Sequence, residues 1–437
     1  MAYDRRWVGG GSGLFLGPGW SRARIAAFQA ERLRALVRHA YVRVPHYRRS
    51  FDCAGLRVDD VRSLADLARI PPTSRADLQG LSSREVTAAG FDPRRLVVHH
   101  TSGSSGRPLR VRRTWFEERL LQAYRLRVLF QLGLRVTDRR VAVVFVPTDA
   151  PEPRRKSGPL RYEEIDGFLP PASILARLRE LRPAVLRGYP ATLASLVPHL
   201  TDADRERIRP RLVVTDSEML TAEKRSRIRD GFGARVVDFY DSHEFNMIAW
   251  ECVAGGSYHV SDTSVLVEVL RDGRTAEPGE EGELVVTALH SFAMPFIRYR
   301  LGDWVTRGPS RCACGAANST LAAVHGRTFD RFELPEGRSM HPYRLATDLV
   351  RCAPWLRQFQ IVQEHPARIR LRLAVMSDGE PPEGWATELR RVFSASLGEG
   401  VAVETELVDR IPAEPSGKFR PYYSLVSGAA WNRGSGC

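Results

Sequence analysis

Thr101-Ser102-Gly103-Ser104-Ser105-Gly106-Arg107-Pro108 stands between the apolar run Leu96-Val97-Val98 and a helical-looking segment that opens at Thr114. Four hydroxyls and two glycines fall within six residues, followed by a cation and a proline. Glycine lets a backbone turn where a Cβ would clash and brings main-chain N–H groups close to a ligand. Successive N–H groups in such a loop form a concave anion site, to which Ser and Thr hydroxyls add donors for phosphate oxygens. It is not a Walker A loop, because the Gly-Lys-Ser/Thr ending is missing. Turn chemistry alone makes the same residues an ordinary loop, so the order of the surrounding segments decides.

Upstream, residues 21–40 read as a helix, with Ile25, Phe28, Leu33, Leu36 and Val37 near one face and arginines on the other. Downstream, residues 114–132 are amphipathic and helical. Residues 141–146 form a continuous apolar run ended by Pro147, which suits a strand buried on both faces. Residues 147–169 are rich in proline and carry Arg154-Arg155-Lys156, so a mobile surface loop with a solvated Lys156 is expected. From residue 184 the alternation becomes regular: strands at 185–186, 212–215 and 235–239, helices at 191–200 and 221–231. Repeats of this length imply parallel βαβ units with ligands at the strands' carboxyl ends. Two polar loops are expected there, Asp216-Ser217-Glu218-Met219 and Tyr240-Asp241-Ser242-His243-Glu244. Residues 263–270 and 283–288 read as antiparallel strands. Farther on, strand-like 358–362, 368–375 and 401–408 with helices at 343–352 and 385–396 make a small α+β layer, ferredoxin-like in rhythm. The Gly/Ser-rich tail from Ser427 is expected to be disordered.

A chain of 437 residues suits one large and one small domain. Its 43% hydrophobic and 27% charged composition is that of an ordinary globular protein. No apolar run reaches membrane-spanning length and the start lacks a signal-peptide core. Six cysteines in so long a chain do not make a disulfide scaffold, so a cytoplasmic location is expected. The net charge of +14 raises the question of nucleic acid. Against it, the arginines are scattered, and there is no RNP motif, finger spacing or heptad. A basic surface that attracts nucleotides, CoA or other anionic partners accounts for the charge as well. Lysine occurs only at 156, 224 and 418, so 62 of the 65 basic residues are arginine. A lysine that survives such drift is a candidate for chemistry that guanidinium cannot perform.

The 101–108 loop resembles the phosphate-binding loop of the adenylate-forming acyl-CoA synthetase and ligase superfamily, with Arg107 where that loop has lysine. Arginine binds phosphate as a planar fork and not as a point charge. The opening helix, Val44-Pro45-His46-Tyr47-Arg48 and Leu64-Ala65-Asp66-Leu67-Ala68-Arg69-Ile70-Pro71-Pro72 are similar to the start of the phenylacetate-CoA ligase branch, which includes CapK-like capsule-biosynthesis proteins. Residues 240–244 resemble the superfamily's Tyr-Gly-x-Thr-Glu motif. That resemblance implies Tyr240 against adenine and Glu244 as a Mg²⁺ ligand, which suits an ion that prefers oxygen. Asp241 replaces the glycine and His243 stands at the hydroxyl position, where Ser242 can substitute. Ser217-Glu218-Met219 corresponds to a Gly-x-Glu-Pro-like segment beside adenine. Arg298-Tyr299-Arg300-Leu301-Gly302-Asp303 resembles Tyr-Arg-x-Gly-Asp, whose aspartate holds the ribose diol, a task for a bidentate acceptor. Gly326-Arg327-Thr328-Phe329-Asp330 resembles the family hinge, implying nucleotide contact for Arg327 and a pivot at Asp330. Ile411-Pro412-Ala413-Glu414-Pro415-Ser416-Gly417-Lys418-Phe419-Arg420 resembles the C-terminal Ser-Gly-Lys-x-x-Arg motif, implying that Lys418 is the catalytic lysine of a swinging domain.

Cys252-x₆-His259 and Cys312-x-Cys314-Gly315 supply three thiols and one imidazole, the donor set of a closed structural zinc site. The spacing is not that of a standard finger, and spare cytosolic thiols are the plain alternative. The phenylacetate-CoA ligase branch carries a comparable cluster, so the resemblance implies structural Zn²⁺. Taken together, the expectation is an α/β protein. A large N-terminal domain, residues 1–328, would join parallel βαβ sheets to an antiparallel β part, and a small mobile α+β domain would occupy residues 329–437. The resemblance implies an AMP-forming ligase that uses ATP and Mg²⁺ to convert a carboxylic acid, aromatic by analogy, to its adenylate and passes it to CoA. Lys418, Glu244 and Thr101 would be catalytic, with Ser102, Gly103, Ser104, Ser105 and Gly106 around the phosphates. Transfer to a carrier protein, an amine or a hydroxyl is the second reading, and a non-catalytic basic binding protein the third. No nucleic-acid partner and no membrane span are expected, and a homodimer is left open.

Overall fold

The computed structural model describes residues 19–100, 109–144, 155–327, 332–340, 342–353, 355–375, 380–398, 400–412 and 420–426. They cluster into two compact units, one running to Leu301 and including Val305–Val324, the other made of Gly302–Trp304 and the chain from His325.

In the first unit, helix α1 (Arg22–Arg43) opens at Ser21, whose hydroxyl accepts the Arg24 N–H at 3.3 Å. All five apolar residues assigned to its inner face are buried. Pro45 cannot continue that helix and instead begins α2 (Pro45–Cys53). Strands β1 (Val97–His100) and β2 (Arg110–Arg113) pair antiparallel, with His100 opposite Arg110. Helix α3 (Trp115–Gln131) follows, with Thr114 and Glu117 forming a reciprocal capping box.

One sheet of thirteen strands organises the unit. Its parallel part comprises β3 (Arg140–Val144), β4 (Tyr162–Asp166), β5 (Val185–Gly188), β6 (Leu212–Asp216) and β7 (Arg235–Ser242), connected through α4 (Pro171–Leu181), α5 (Pro190–Leu196) and α6 (Ala222–Phe232). The antiparallel part adds β8 (Asn246–Glu251), β9 (Tyr258–Val260), β10 (Val265–Arg271), β11 (Glu281–Ala288), β12 (Tyr299–Arg307) and β13 (Thr320–Arg327). The spatial order is Arg274–Thr275, β10, β11, β12, β13, β9, β8, β7, β6, β5, β3, β4, Arg155–Lys156.

Both faces of the parallel part are covered. Val141, Val143, Leu186 and Val213 pack with Ile174, Leu178, Leu193, Ile228 and Phe232 of α4, α5 and α6. Leu212, Val214 and Val237 pack with Val128 and Leu129 of α3. Each such side chain stabilises the fold by about 1.5–3 kcal/mol, which explains why these strands read as unbroken apolar runs. A Cβ at Gly188, where β5 meets α5, would crowd the Leu193 side chain at 2.9 Å and the Val143 carbonyl at 3.2 Å.

The loop expected over residues 147–169 is corrected in part from residue 155 onward, while 147–154 lie outside the described residues. Tyr162–Asp166 is strand β4, parallel to β3 with Val141 opposite Glu163. Among its residues only Ile165 is fully buried, so the strand near the sheet's end lacked an apolar signature. Lys156 is exposed, as expected.

The second unit holds a four-stranded sheet. After α7 (Tyr343–Cys352), β14 (Leu356–His365) and β15 (Arg368–Val375) form a hairpin, then come α8 (Trp385–Leu397), β16 (Ala402–Leu407) and β17 (Tyr422–Ser424). The order is β16, β15, β14, β17, with both outer strands parallel to their neighbours. Ile361, Ile369, Leu371, Leu373, Leu389 and Phe393 form its interior. Among the described residues, no helix is long and apolar enough to cross a membrane.

Arg298 ties the N-terminal segment to the sheet. Its Nε and Nη2 each reach Glu268 at 2.9 Å, and Nη1 donates to the carbonyls of Ala68 and Ile70 at 3.1 and 2.6 Å. Arg298→Met strands a buried carboxylate and two carbonyls, so it should lower stability by about 3–5 kcal/mol. Urea denaturation measures this, and a loss below about 1 kcal/mol would contradict the bracing role.

Candidate functional site

The site is built where the parallel strands end. Gly188 of β5 pairs with Thr215 of β6, and Asp216 pairs with Phe239 of β7. Beyond that last rung β7 continues, now held only by β8, with Tyr240 opposite Ala249 and Ser242 opposite Asn246. Tyr240, Asp241 and Ser242 therefore lie on a strand and not in the loop expected there. The cause is β8, whose buried Met247, Ile248, Ala249 and Trp250 supply an antiparallel partner. The hairpin turn is His243-Glu244-Phe245, and the Ser242 hydroxyl accepts the Phe245 N–H at 3.3 Å. His243 is exposed. Glu244 is only 5% exposed, and the Tyr299 hydroxyl donates to its Oε1 at 3.4 Å.

The β1–β2 hairpin brings the two flanks of the hydroxyl-rich loop together and faces this turn. Arg113, buried on β2, donates to the His243 carbonyl and pairs with Glu118 at 3.2 Å. His99 meets the same Glu118 oxygen at 3.0 Å, and its ring lies 6.5 Å from that of His243 at an interplanar angle of 27°. Burial pushes the Glu118 carboxyl up, but the hydrogen bond from His99 and the Arg113 charge outweigh it and bring its pKa down to about 2. Neither Arg113 nor Glu118 was singled out from sequence, because a buried brace in an arginine-rich chain looks like surface charge.

A second group of charges converges on the same strand ends. Arg125 of α3 reaches Asp241 and Asp216, each at 2.7 Å. Arg187 of β5 donates through Nε to Asp216 and stands 3.9 Å from Asp241. Ser217, with left-handed φ of 67°, donates to Asp216 at 3.2 Å. Burial raises the carboxyl of Asp216, yet Arg187 and Arg125 more than offset it and its pKa is lowered; burial and the Asp216 charge push Asp241 the other way. Glu218 accepts the Ala191 N–H at 3.0 Å, at the N-terminus of α5.

Asp303 lies on β12 and is 8% exposed. Arg327 closes β13 after Gly326, whose φ of 106° and closeness to the Tyr422 hydroxyl (3.2 Å from an added Cβ) require glycine. Thr101, Ser102, Gly103, Ser104, Ser105, Gly106, Arg107, Asp330 and Lys418 lie outside the described residues, as does the Arg327 side chain.

The four residues proposed as metal ligands do meet. The donor atoms of Cys252, His259, Cys312 and Cys314 all lie within 4.8 Å of one another. Cys252 and Cys312 sulfurs are 3.6 Å apart, and His259 Nε2 is 3.3 Å from the Cys314 sulfur. The backbone N–H groups of Ala254 and Ala316 point at Cys252 and Cys314 sulfurs, at 3.4 Å each.

Residues 332–423 match the family model of the CapK C-terminal domain. Phenylacetate-coenzyme A ligase of Thermus thermophilus is 28% identical over 356 residues, covering 78% of this chain and 78% of that protein. Its Escherichia coli counterpart is 25% identical over 358 residues, covering 75% and 76%. Among solved structures, 2-hydroxyisobutyryl-CoA ligase in the postadenylation state matches with a TM-score of 0.74 at 20% identity, over 91% of this chain and 88% of that one. A benzoate CoA ligase from Burkholderia xenovorans gives 0.55 at 18% identity, over 76% and 69%. The expected architecture, a large mixed sheet and a smaller C-terminal sheet with helices, is that of acyl-CoA ligases.

Beneath the strand ends, Asp238 is buried and accepts hydrogen bonds from Thr215 (2.6 Å) and Tyr258 (2.7 Å). Burial, with help from the Glu251 and Asp216 charges, pushes its pKa up to about 7. Between about pH 4, where the unfolded carboxyl titrates, and pH 7 the native state keeps a proton that the unfolded chain has released. Its contribution therefore favours folding at low pH, declines through that window and levels off above it. Asp238→Asn should remove this decline: from pH 5 to 8 the wild-type Tm should fall by roughly 2 °C or more relative to the variant. Parallel pH profiles would exclude the effect.

Proposed function

We propose that this chain belongs to the phenylacetate-CoA ligase-like branch of the adenylate-forming enzymes and is an ATP-dependent, AMP-forming acid–thiol ligase. It activates a carboxylic acid, aromatic in this reading, as the acyl-adenylate and passes the acyl group to CoA. One observation carries most weight: Arg113 joins the β1–β2 hairpin that flanks the hydroxyl-rich loop to the carbonyl of His243, next to Glu244. In this reading the phosphate donors and the acidic ligand act side by side at the strand ends, the place where α/β sheets bind ligands.

In this mechanism Thr101, Ser102, Ser104 and Ser105, with the N–H groups around Gly103 and Gly106, surround the β- and γ-phosphates. Glu244 is the fitting Mg²⁺ ligand, because its carboxylate is nearly buried and has a neutral hydroxyl beside it. The ion would neutralise phosphate charge when bound. Tyr240, Ser217 and Glu218 flank the adenine, and Asp303 accepts the ribose hydroxyls. Ser242 and His243 would serve the phosphates in this reading, although the Ser242 hydroxyl also closes its own turn. The acid's carboxylate attacks the α-phosphorus and pyrophosphate leaves. Lys418 offers an ammonium to the carboxylate and the α-phosphate as charge moves toward the leaving group. Rotation about Asp330, with Arg327 on nucleotide oxygens, would then admit the thiol, which attacks the acyl carbon and releases AMP. The departures at Arg107, Asp241 and His243 favour one alternative acceptor class, a carrier-protein thiol, amine or hydroxyl.

The Cys252, His259, Cys312 and Cys314 cluster fits a structural Zn²⁺. Three sulfurs and one imidazole nitrogen are already within ligand-to-ligand distance, and two sulfurs accept backbone N–H groups as thiolate ligands do. This metal would hold the fold and take no part in the reaction.

Lys418→Ala should reduce acid-dependent pyrophosphate exchange by about 10²-fold or more. Exchange that persists in the variant would remove the lysine from the mechanism, and exchange without CoA consumption would move the acceptor to the alternative class. Elemental analysis should find one zinc per chain, lost in Cys312→Ser together with a lowered Tm; metal-free wild type with an unchanged Tm in the variant would dismiss the site.

A further inference from the structure

Four charged side chains converge on the carboxyl edge of the parallel sheet: Arg125 from α3, Arg187 from β5, Asp216 from β6 and Asp241 from β7. We propose that this cluster is the floor of the acid-binding site and selects an aromatic acid bearing a hydroxyl group at the end remote from its carboxylate. The proposal rests on the ligase reading above and narrows its substrate.

Stability alone does not account for the cluster. Buried ion pairs give up hydration, and apolar side chains of equal volume often serve the fold as well or better. Phe239, Met247 and Val214 already form an apolar cluster in the same region. The cluster is not sealed either. The side chain of Asp216 is 1% exposed, those of Arg125 and Asp241 12%, and that of Arg187 31%. A charged network graded from closed to open, at the sheet edge where ligands bind, is placed to be read by a ligand.

Its charge balance says which ligand. Two guanidinium and two carboxylate groups sum to zero, so a second carboxylate or a phosphate meets as much repulsion as attraction, and an amine does likewise. A neutral hydroxyl fits both signs, since it donates to a carboxylate oxygen of Asp241 and accepts from a guanidinium N–H of Arg187. A bare hydrocarbon ring would strip water from these groups and return no hydrogen bond.

Acid-dependent pyrophosphate exchange with the full chain and Mg-ATP tests this on matched acids: phenylacetate and benzoate, their hydroxylated forms, and the corresponding amino and dicarboxylic acids. A hydroxylated acid should exceed its parent in kcat/KM by about tenfold or more, because a site built to hydrogen-bond a hydroxyl penalises its absence. Asp241→Asn should collapse that ratio, chiefly through KM for the hydroxylated acid; a ratio left intact in a folded Asp241→Asn overturns the assignment of that carboxylate. Parent acids as good as hydroxylated ones, or a preference for amino or dicarboxylic acids, overturns the inference and leaves the ligase reading standing. No exchange with any acid, and no acid-induced thermal shift, overturns both.

Discussion

Strand β7 is paired in opposite senses along its two edges, parallel to β6 and antiparallel to β8, and the site depends on that constraint. Where β6 stops at Asp216, β7 loses one neighbour and keeps the other. Residues 240–242 thus stay extended beyond the last parallel rung and do not dissolve into a loop. A strand fixes side-chain direction more tightly than a loop, which is what a site needs to hold polar groups within a fraction of an ångström. The same switch of sense makes the site's charges come from several elements at once. Helix α3 crosses one face of the sheet and sends Arg125 over the Phe239 ring to the strand ends, its guanidinium 5.2 Å from the ring centre.

Much of this was legible in the residues. The apolar run at 141–146, described as far as Val144, announced a strand covered on both faces, and 212–215 and 235–239 announced strands of parallel βαβ units. The helices α1 and α3 declared themselves through apolar spacing, whereas their caps at Ser21 and Thr114 emerge from the structure. The donor set at Cys252, His259, Cys312 and Cys314 was legible because thiols are rare and their types are specific. Other features were invisible for physical reasons. Strand β4 has one fully buried residue and a proline-rich approach, so it carries neither period. The Tyr240–Ser242 stretch reads as a polar loop because its strand character comes from β8, a segment that follows it. The Arg125–Asp216–Arg187–Asp241 cluster spans 117 positions of sequence and involves residue types that usually face water.

The arginine content has a structural meaning that a count of charge does not convey. Arg298 bonds one carboxylate and two carbonyls, and Arg32 bonds the Leu289 carbonyl and His290 while lying 5.1 Å from the Phe292 ring centre. Arg113 bridges a glutamate and a turn carbonyl. Each uses the guanidinium as a planar bracket with several donors in fixed directions, which an ammonium cannot copy. Part of the arginine content thus serves as internal bracing, and pairs such as Arg298–Glu268 leave the net charge of +14 unchanged. That is a further reason to read the composition as architecture and not as a nucleic-acid footprint.

The Cys/His cluster can be weighed in the same terms. Strand β9 is three residues long and lies between β8 and β13, so its own ladder contributes few hydrogen bonds. His259 sits on it, opposite both Trp250 and Thr320, while the three sulfurs come from turns on either side. As neutral thiols these groups attract one another weakly, and His259 Nδ1 is buried without a partner among the described residues. That is an expensive arrangement for packing alone. A metal that binds only the folded arrangement would convert the same crowding into stability, since affinity for the native state adds directly to folding free energy. Such a staple would close the segment between β12 and β13 onto β9 and so fix the register of the strands that lead toward Arg327.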